Sequence, residues 1–407
     1  MRPLFAALIG LMLFASVASA QDQPPTPEPS VDVFDLWRAF RHRDQPATEP
    51  PPDHTKAMRA FVPVIGGKPG AGFLAGVAGN VAFYRGDPST THISSVVASV
   101  TFSTQEQTAI TSRLTMFGKD DRWRLETDHR FQWTSQQTYT LGANADADTE
   151  VRLNFDFFRF HQAAHYRVRS GLFVGGGLYF DRHTKVAPED GQEALYPDSS
   201  YVAYSERNDL SETSQTSGGT SAELIWDTRD SFIKPHEGWL VKAGYRALFD
   251  GFLGGSTSYQ RVQFDVRTYV PLTTDRRHVL AVWSFADLTA NGVVPYFDLP
   301  ATGTDTYGRS SRGYAEGRFR GERLVYGEIE YRGTLTRNNL LGMVAFINTV
   351  TITNLEEDEQ LFDNYAPGVG AGLRLLVNKR SKTQLCFDVA FGKQGSKGIY
   401  LAVQEAF

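Results

Sequence analysis

Polar and apolar residues alternate with period two along most of the chain, from about Phe61 to the last residue. The segment 122–133 shows this most clearly. One of its faces carries Trp123, Leu125, Thr127, His129, Phe131 and Trp133, and the other carries Arg122, Arg124, Glu126, Asp128, Arg130 and Gln132. A soluble sheet rarely lines its inner face with so many charges, whereas a strand between lipid and a polar lumen does. The pattern therefore predicts membrane-spanning β-strands.

The same alternation recurs between turn signals and predicts sixteen strands, an even number as a bacterial barrel requires. The predicted strands lie near 71–84, 91–104, 107–118, 121–133, 136–145, 149–161, 165–182, 214–228, 238–250, 257–270, 277–290, 323–333, 340–352, 365–377, 382–393 and 398–407. If the first strand starts in the periplasm, the long connections at 183–213, 291–322 and 353–364 are extracellular. The short connections at 105–106, 134–135 and 271–276 are then periplasmic. The expected fold is an all-β, 16-stranded antiparallel transmembrane barrel.

The N-terminal residues 1–20 are typical of a secretory signal peptide, with Arg2, a short apolar stretch and Ala18-Ser19-Ala20 as the cleavage site. No later run of 18 apolar residues predicts a membrane helix. A barrel is then the structure that satisfies every backbone group within a bilayer. We expect the barrel to occupy residues 58–407.

Between these parts, residues 21–57 form a Pro-rich polar leader. Within it, Val33, Trp37 and Phe40 recur at helical spacing, and Ser30 is a candidate N-cap for a helix at 31–43. Early acidic and late basic residues match the helix dipole. Three interpretations stay open: a transient helix, a helix docked on the periplasmic mouth or lumen of the barrel, and a site for a periplasmic partner.

Composition narrows the function only slightly. The chain has 41 basic and 46 acidic residues, a net charge of −5, so nucleic-acid binding is not expected. A single cysteine, Cys386, excludes an intrachain disulfide. No metal site or cofactor is predicted. The acidic run Glu356 to Glu359 could bind calcium from an outer loop, although acidic runs are usually only solvated.

The segment from Asn291 to Glu322 is long for a connection in a compact array, and long loops are usually functional. It contains Ser311-Arg312-Gly313-Tyr314 and further arginines at 309, 318 and 320. An Arg-Gly-Tyr tip on a loop folded back into a barrel resembles the signature of the BamA/TamA-like outer-membrane family, also called bacterial surface antigens. The resemblance covers 215–407 well and 61–214 weakly.

Three further segments carry the resemblance. Asp227-Thr-Arg-Asp230 with Pro235 and Gly238 resembles the family's turn into its ninth strand, Phe346-Ile-Asn348 its thirteenth strand, and Gly368-Val-Gly370-Ala-Gly372-Leu-Arg374 its fourteenth. The family usually has Asp where this chain has Asn348. The leader is too short for a POTRA domain, so the resemblance implies a POTRA-less member, and substrate capture by such domains is not carried over.

The resemblance implies that the Arg-Gly-Tyr loop is held inside the barrel. Strand parity places Glu328, Glu330 and Asp388 on the lumen side, and Asp388 is the favoured partner of Arg312. The alternative is a solvated outer loop whose arginines bind anionic sugar or lipid headgroups.

Glycines cluster in the first predicted strand, at Gly72, Gly76 and Gly79 among others. Glycine weakens a strand because it packs nothing and loses more entropy on ordering. This strand would close the barrel against the last one, which ends at Phe407. Two interpretations stay open: a seam that opens sideways for β-augmentation, and close backbone packing.

The family resemblance predicts a non-enzymatic protein of the outer membrane that assists envelope biogenesis, by inserting or translocating polypeptide or lipid in contact with outer-membrane lipid. The alternative is a passive pore with an open lumen. An outer-membrane enzyme is a third option, for which His129 at the membrane boundary is the one candidate residue.

Overall fold

The protein is described by a computed structural model covering residues 30–41, 56–68, 72–306, 308–379, 382–403, 405 and 407. The predicted signal peptide lies outside the described residues. In the described part, α1 spans Val33–Phe40 and α2 spans Ser200–Arg207. The strands are β1 (Met58–Lys68), β2 (Gly72–Phe83), β3 (Ser94–Ser103), β4 (Thr108–Phe117), β5 (Trp123–Thr138), β6 (Val151–Arg169), β7 (Leu172–Pro188), β8 (Ser214–Asp227), β9 (Gly238–Leu248), β10 (Tyr259–Pro271), β11 (His278–Gly292), β12 (Arg323–Thr334), β13 (Leu341–Ile352), β14 (Ala366–Asn378), β15 (Thr383–Gly392) and β16 (Lys397–Val403).

Each strand pairs antiparallel with its neighbour in sequence, so the sixteen strands form one continuous sheet. The sheet curls until β1 approaches β16. The prediction of an all-β, sixteen-stranded antiparallel barrel is confirmed. No helix in the described part of the chain is long and apolar enough to cross a membrane.

The alternation along β5 separates the two surfaces of the barrel wall. Trp123 is 56% exposed and Trp133 is 49% exposed, whereas Arg124 and Arg130 are buried in the interior. Apolar side chains on the outer surface therefore face lipid, and charged ones line the lumen. The core of this protein is accordingly a polar interior with aromatic clusters, not a uniformly apolar one.

The prediction of the first strand at 71–84 is wrong, because β1 at Met58–Lys68 precedes it. Pro63 lies in the middle of β1. Proline cannot donate to a ladder, so it is confined mainly to edge strands. In the described sheet β1 is such an edge, with β2 as its ladder partner. The proline and the neighbouring glycines weaken the alternation in β1, so the sequence pattern did not predict this strand.

The predicted strand at 136–145 is also wrong. Residues 136–138 belong to β5, and residues 139–150 connect β5 to β6. Tyr139, Leu141, Ala143 and Ala145 are all buried, and Tyr139, Ala143 and Ala145 share a cluster with Phe319 of the β11–β12 connection. An extended loop packed on another loop thus imitates strand alternation.

These two errors cancel in the strand count but reverse the direction of the early strands. The β3–β4 connection at 104–107 lies at the same end as 189–213 and 293–322, and 134–135 lies within β5. Both segments were predicted as periplasmic turns, which is incorrect. The end with 189–213 and 293–322 is called the long-loop end below, and the end with 272–277 and 335–340 the short-turn end.

Helix α1 lies against the short-turn end, attached through its polar side. Its N-cap is Asp32 rather than the predicted Ser30, and a capping box joins Asp32 to Asp35. Lys379 follows β14, and its backbone N–H donates to Asp32 at 3.0 Å while its Nζ donates to Asp35 at 2.9 Å. Trp37 and Phe40, two of the apolar residues at helical spacing, are exposed, so the attachment does not depend on them.

Helix α2 covers the lumen at the long-loop end. Tyr201 and Tyr204 are buried, and both pack edge-on against Tyr296 of the β11–β12 connection. The Tyr204 hydroxyl donates to the Val294 carbonyl at 2.9 Å. The connection between β7 and β8 therefore closes over the loop that enters the barrel.

Candidate functional site in the barrel interior

The connection between β11 and β12, residues 293–322, folds into the barrel and is called the luminal loop below. Most of its described residues are buried. It doubles back on itself through an antiparallel bridge between Ala301 and Arg320. The tip of the loop, around Arg312, thereby reaches the inner faces of β12 to β15.

The Arg312 guanidinium contacts three carboxylates. Nη1 donates to Asp388 Oδ2 at 2.8 Å, and Nη2 donates to Glu330 Oε2 at 2.5 Å and to Glu328 Oε1. The ring of Phe346 lies under the guanidinium, with its centroid 3.4 Å from Cζ. Arg312 is only 1% exposed. The structure brings all three predicted partners together and does not show the predicted preference for Asp388.

Two of these carboxylates also bind arginines of the wall. Asp388 Oδ1 accepts from Arg374 Nη1 at 2.5 Å, and Glu330 Oε1 accepts from Arg332 Nε at 2.7 Å. Glu405 accepts from Arg374 Nε at 2.7 Å. Because each buried charge has an opposite partner, the desolvation cost of burying it is partly offset. The wall thus presents Arg312 with acceptors that are already oriented.

Gly313 and Tyr314 fix the backbone next to Arg312. Gly313 has φ +111°, and a Cβ there would lie 3.0 Å from the backbone of Phe391. Its N–H donates to the Tyr400 hydroxyl at 2.9 Å. The Tyr314 hydroxyl donates to the Pro367 carbonyl and accepts from the Lys393 N–H at 2.8 Å. Glycine is required here both by φ and by the close approach to β15.

The inner face of β14 makes room for the loop with alternate glycines. A Cβ on Gly368 would lie 2.7 Å from the Arg312 carbonyl oxygen. A Cβ on Gly370 would collide with the Phe346 ring, and one on Gly372 with the Asp388 carboxylate. The Gly-Val-Gly-Ala-Gly sequence therefore forms a socket, called the glycine socket below, for Arg312 and its partners.

Asn348 on β13 contacts the same socket. Its Nδ2 donates to the Arg312 carbonyl oxygen at 3.0 Å and approaches a Glu328 oxygen at 3.5 Å. Both neighbours accept hydrogen bonds, so the amide nitrogen faces them. An aspartate at this position would have no proton to donate. The departure from the family's pattern at Asn348 thus has a structural consequence, a neutral donor in place of an anion.

Two more loop arginines bind carbonyls and aromatic rings, and the sequence did not indicate their partners. Arg318 Nη2 donates to the Ala145 carbonyl at 2.9 Å, and its Cζ lies 4.2 Å from the Tyr139 ring centroid. Arg320 Nη1 donates to the Tyr296 carbonyl at 2.7 Å. The Arg318 contacts join the luminal loop to the β5–β6 connection, whereas the Arg320 contact joins two parts of the loop itself. The many arginines in the loop indicated that it needs acceptors inside the barrel. The sequence did not indicate which residues those acceptors are.

A second ion-pair network lines the opposite side of the lumen. Arg130 on β5 pairs with Asp128, and Arg159 on β6 pairs with Asp181 at 2.6 Å. Arg130 Nη2 also donates to the Thr306 carbonyl of the luminal loop at 2.7 Å. The alternation predicted that Asp128 and Arg130 point away from lipid, but it did not predict the contact of Arg130 with the loop. The luminal loop is therefore bound by side chains on both sides of the barrel.

The predicted seam residues lie elsewhere. Gly72, Gly76 and Gly79 belong to β2, where they pair with β1 rather than with the last strand. The last strand was predicted to end at Phe407, but β16 ends at Val403, and Phe407 is 5% exposed and packs on Trp283, with ring centroids 5.2 Å apart. The misplaced first strand caused the first error. The second arose because the chain enters the lumen after β16.

The two remaining candidates, the acidic run from Glu356 to Glu359 and His129, make structural contacts. Glu356 pairs with Arg207 of α2, and no group of residues suited to a metal occurs among the described residues. His129 stacks on Phe160, with ring centroids 4.7 Å apart. These contacts account for both features structurally.

The fold and its lipid-facing outer surface define the class of this protein as a transmembrane β-barrel of the bacterial outer membrane. The chain belongs to the Omp85 superfamily, whose domain matches residues 94–402. A comparison with functionally characterised protein sequences found no significant match.

Three solved structures have similar folds. BamA from Haemophilus ducreyi lacking POTRA domains 1–3 aligns with a TM-score of 0.53 at 14% identity, over 86% of this chain and 69% of that chain. CdiB from Acinetobacter baumannii aligns with 0.54 at 11% identity, over 86% and 59%. CdiB from Escherichia coli aligns with 0.54 at 10%, over 85% and 61%. This chain therefore spans about three-fifths of either CdiB, and at these identities the similarity concerns the fold alone.

Proposed function

We propose that this barrel assists the insertion or translocation of polypeptide or lipid in the outer membrane, by opening between β1 and β16. The role is non-enzymatic. The long-loop end faces outward and the short-turn end faces the periplasm, following the usual asymmetry of such barrels.

The observation that carries the proposal is the junction of β1 and β16. Fifteen pairs of neighbouring strands form ladders, but in the described residues no ladder joins β16 to β1. The two strands are nevertheless adjacent, because a Cβ on Gly66 would lie 3.1 Å from Leu401 Cβ. An edge with unpaired backbone groups is a template for an incoming strand.

Two features limit the contact of β16 with β1. β16 has seven residues, against eleven in β1, and beyond it Phe407 is drawn inward to Trp283. At the short-turn end the junction is bridged instead by Asn80 of β2, whose Nδ2 donates to Thr383 of β15 at 3.4 Å. A long side-chain hydrogen bond therefore spans the junction at that end, where no backbone ladder joins β16 to β1 in the described residues.

The luminal loop argues against the passive pore. Its buried residues lie inside the barrel and are held by both ion-pair networks. A large, steady conductance would require that loop to leave the lumen. We therefore expect small or irregular currents from the wild-type barrel in planar bilayers.

A disulfide across the junction tests the proposal. Cβ atoms in disulfides lie about 3.5–4.5 Å apart, so Gly66→Cys with Leu401→Cys needs only a small adjustment. The control is Val389→Cys with Ile399→Cys, which links β15 to β16, strands that are already paired. Cys386 is buried and stays out of the reaction.

The assay uses reconstituted full-length protein in two arms, folding of an unfolded small outer-membrane barrel into the vesicles and transbilayer movement of a fluorescent phospholipid. We expect the Gly66–Leu401 disulfide to abolish the active arm and a reductant to restore it, with the control pair unaffected. Unchanged activity with the junction locked would overturn lateral opening. Large steady currents with no activity in either arm would favour the pore.

A further inference from the structure

Helix α1 combines a polar side attached to the barrel with an apolar side that the barrel leaves uncovered. Leu36 and Trp37 are each 48% exposed and Phe40 is 83% exposed. Together with Val33 they recur at helical spacing and form one face. Asp35, on the opposite face, is 2% exposed and binds Lys379. This arrangement is the reverse of a helix that docks through an apolar stripe.

The attachment of α1 fixes which way this face points. The Val31 N–H donates to the Asn338 carbonyl at 2.9 Å, and Ser30 Oγ accepts from Asn339 Nδ2 at 3.0 Å. The chain then reaches Lys379 on the next turn of the rim. The start of α1 therefore bridges two neighbouring turns of the short-turn end, and its polar side is turned towards the barrel.

The surface next to α1 is already apolar and lipid-facing. The β12–β13 turn that binds the chain before α1 is flanked by Leu335 and Leu341, which are 54% and 39% exposed. Because Ser30 and Val31 bind this turn, α1 begins beside that surface. Arg41 lies over the Trp37 ring, with Cζ 4.0 Å from its centroid, and Arg38 is half-buried beside Asp35. Aromatic and basic residues side by side are typical of helices at a membrane interface.

We infer that α1 is an interfacial helix that inserts Leu36, Trp37 and Phe40 into the headgroup region of the periplasmic leaflet, while Asp32 and Asp35 anchor it to the rim. The occupant of the apolar face is the phospholipid surface. Arg38 and Arg41 then lie at the level of the phosphates, where anionic lipids strengthen binding.

The position of α1 is fixed by the barrel on one side and by the lipid on the other. It is tethered to the turn after β14, two strands from the β1–β16 junction. A helix of eight residues is marginal alone in water, so both the rim and the lipid stabilise it. The inference rests on the membrane location of the barrel and not on the proposed opening of its junction.

The test places an environment-sensitive fluorophore on each face. Trp37→Cys and the matched control Ala39→Cys, which is exposed on the other side of α1, are labelled with NBD in the full-length protein. Wild-type protein carried through the same reaction measures any labelling of the buried Cys386. Retained heat-modifiable migration on gels shows that each labelled barrel is folded.

Labelled proteins are reconstituted in phosphatidylethanolamine and phosphatidylglycerol vesicles containing a lipid with a nitroxide near the headgroup end of its acyl chain. We expect the label at 37 to shift to the blue and lose most of its emission to the nitroxide lipid, while the label at 39 is quenched mainly by aqueous iodide. Equal quenching at both positions would overturn the inference. So would a label at 37 that is open to iodide and becomes shielded only when periplasmic protein or a second copy of the barrel is added.

Discussion

Asp388 on β15 joins Arg312 of the luminal loop to Arg374 of β14, accepting from one guanidinium at 2.8 Å and from the other at 2.5 Å. One carboxylate therefore links the loop to the wall and the wall to itself. The loop side of this link is shared, because Arg312 also binds Glu328 and Glu330.

Removing Arg312 should loosen the luminal loop without unfolding the barrel. Arg312→Ala leaves Glu328 and Glu330 buried with one cation fewer, and breaking a buried pair costs about 3–5 kcal/mol, less in a wet lumen. Asp388→Ala should cost less, since Arg312 keeps two carboxylates. Protease cleavage of the loop and denaturant unfolding measure both effects.

A double mutant checks this interpretation. Arg312→Ala with Glu328→Gln removes the uncompensated anion as well as the cation, so it should be less destabilising than the sum of the single changes. Simple additivity would show that the two side chains do not interact.

An alanine in the glycine socket should displace the loop. The new Cβ of Gly372→Ala collides with the Asp388 carboxylate, and overpacking typically costs about 1–3 kcal/mol. Gly327→Ala on β12 is the matched control, because a Cβ there meets nothing within 4 Å. Faster proteolysis of the loop in the first variant alone is the expected result, and equal behaviour of the two would contradict the socket.

Introducing the family's usual aspartate at position 348 should lower the stability of this barrel. Asn348→Asp replaces a donor to the Arg312 carbonyl with an anion that also faces Glu328. We expect a loss of about 1–3 kcal/mol, as for an unsatisfied buried group. Asn348→Ala, which removes the donor without adding charge, should cost less. A stabilised Asn348→Asp variant would mean that the residue pairs with the guanidinium instead.

His92 gives the short-turn end a pH dependence. A hydrogen bond to Asp121, with Nδ1 2.5 Å from Oδ2, raises the pKa of His92, although burial opposes the shift. A raised folded pKa contributes stability that is fully present below the ordinary value of about 6.5 and is lost as the pH rises through the folded pKa. The contribution is small, since the side chain is 53% exposed.

Nuclear magnetic resonance titration of His92 measures that shift directly. Asp121→Asn should return the pKa towards its ordinary value and remove the pH dependence of contact between the β2–β3 and β4–β5 turns. An unchanged titration curve in that variant would assign the shift to another cause.

The sequence by itself determined the class of fold and the faces of most strands. Alternation identified the wall because lipid and lumen select opposite side chains on successive residues, and it put Glu328, Glu330 and Asp388 on the lumen face, where the structure has them buried. It also identified Arg312 and Gly313 as a motif on a loop. It failed at β1, where Pro63 weakens the strand signal, and at 139–145, where loop packing imitates one.

Only the tertiary structure decided where the barrel's junction lies, which carboxylates Arg312 shares, and which side of α1 the barrel covers. A barrel closes between its first and last strands. Because the prediction missed β1, it placed the seam at β2 instead. The partners of Arg312 come from β12 and β15, which closure brings to a loop up to 76 residues away. Amphipathicity shows that α1 has two faces, but the position of Lys379 decides that the acidic face binds the rim.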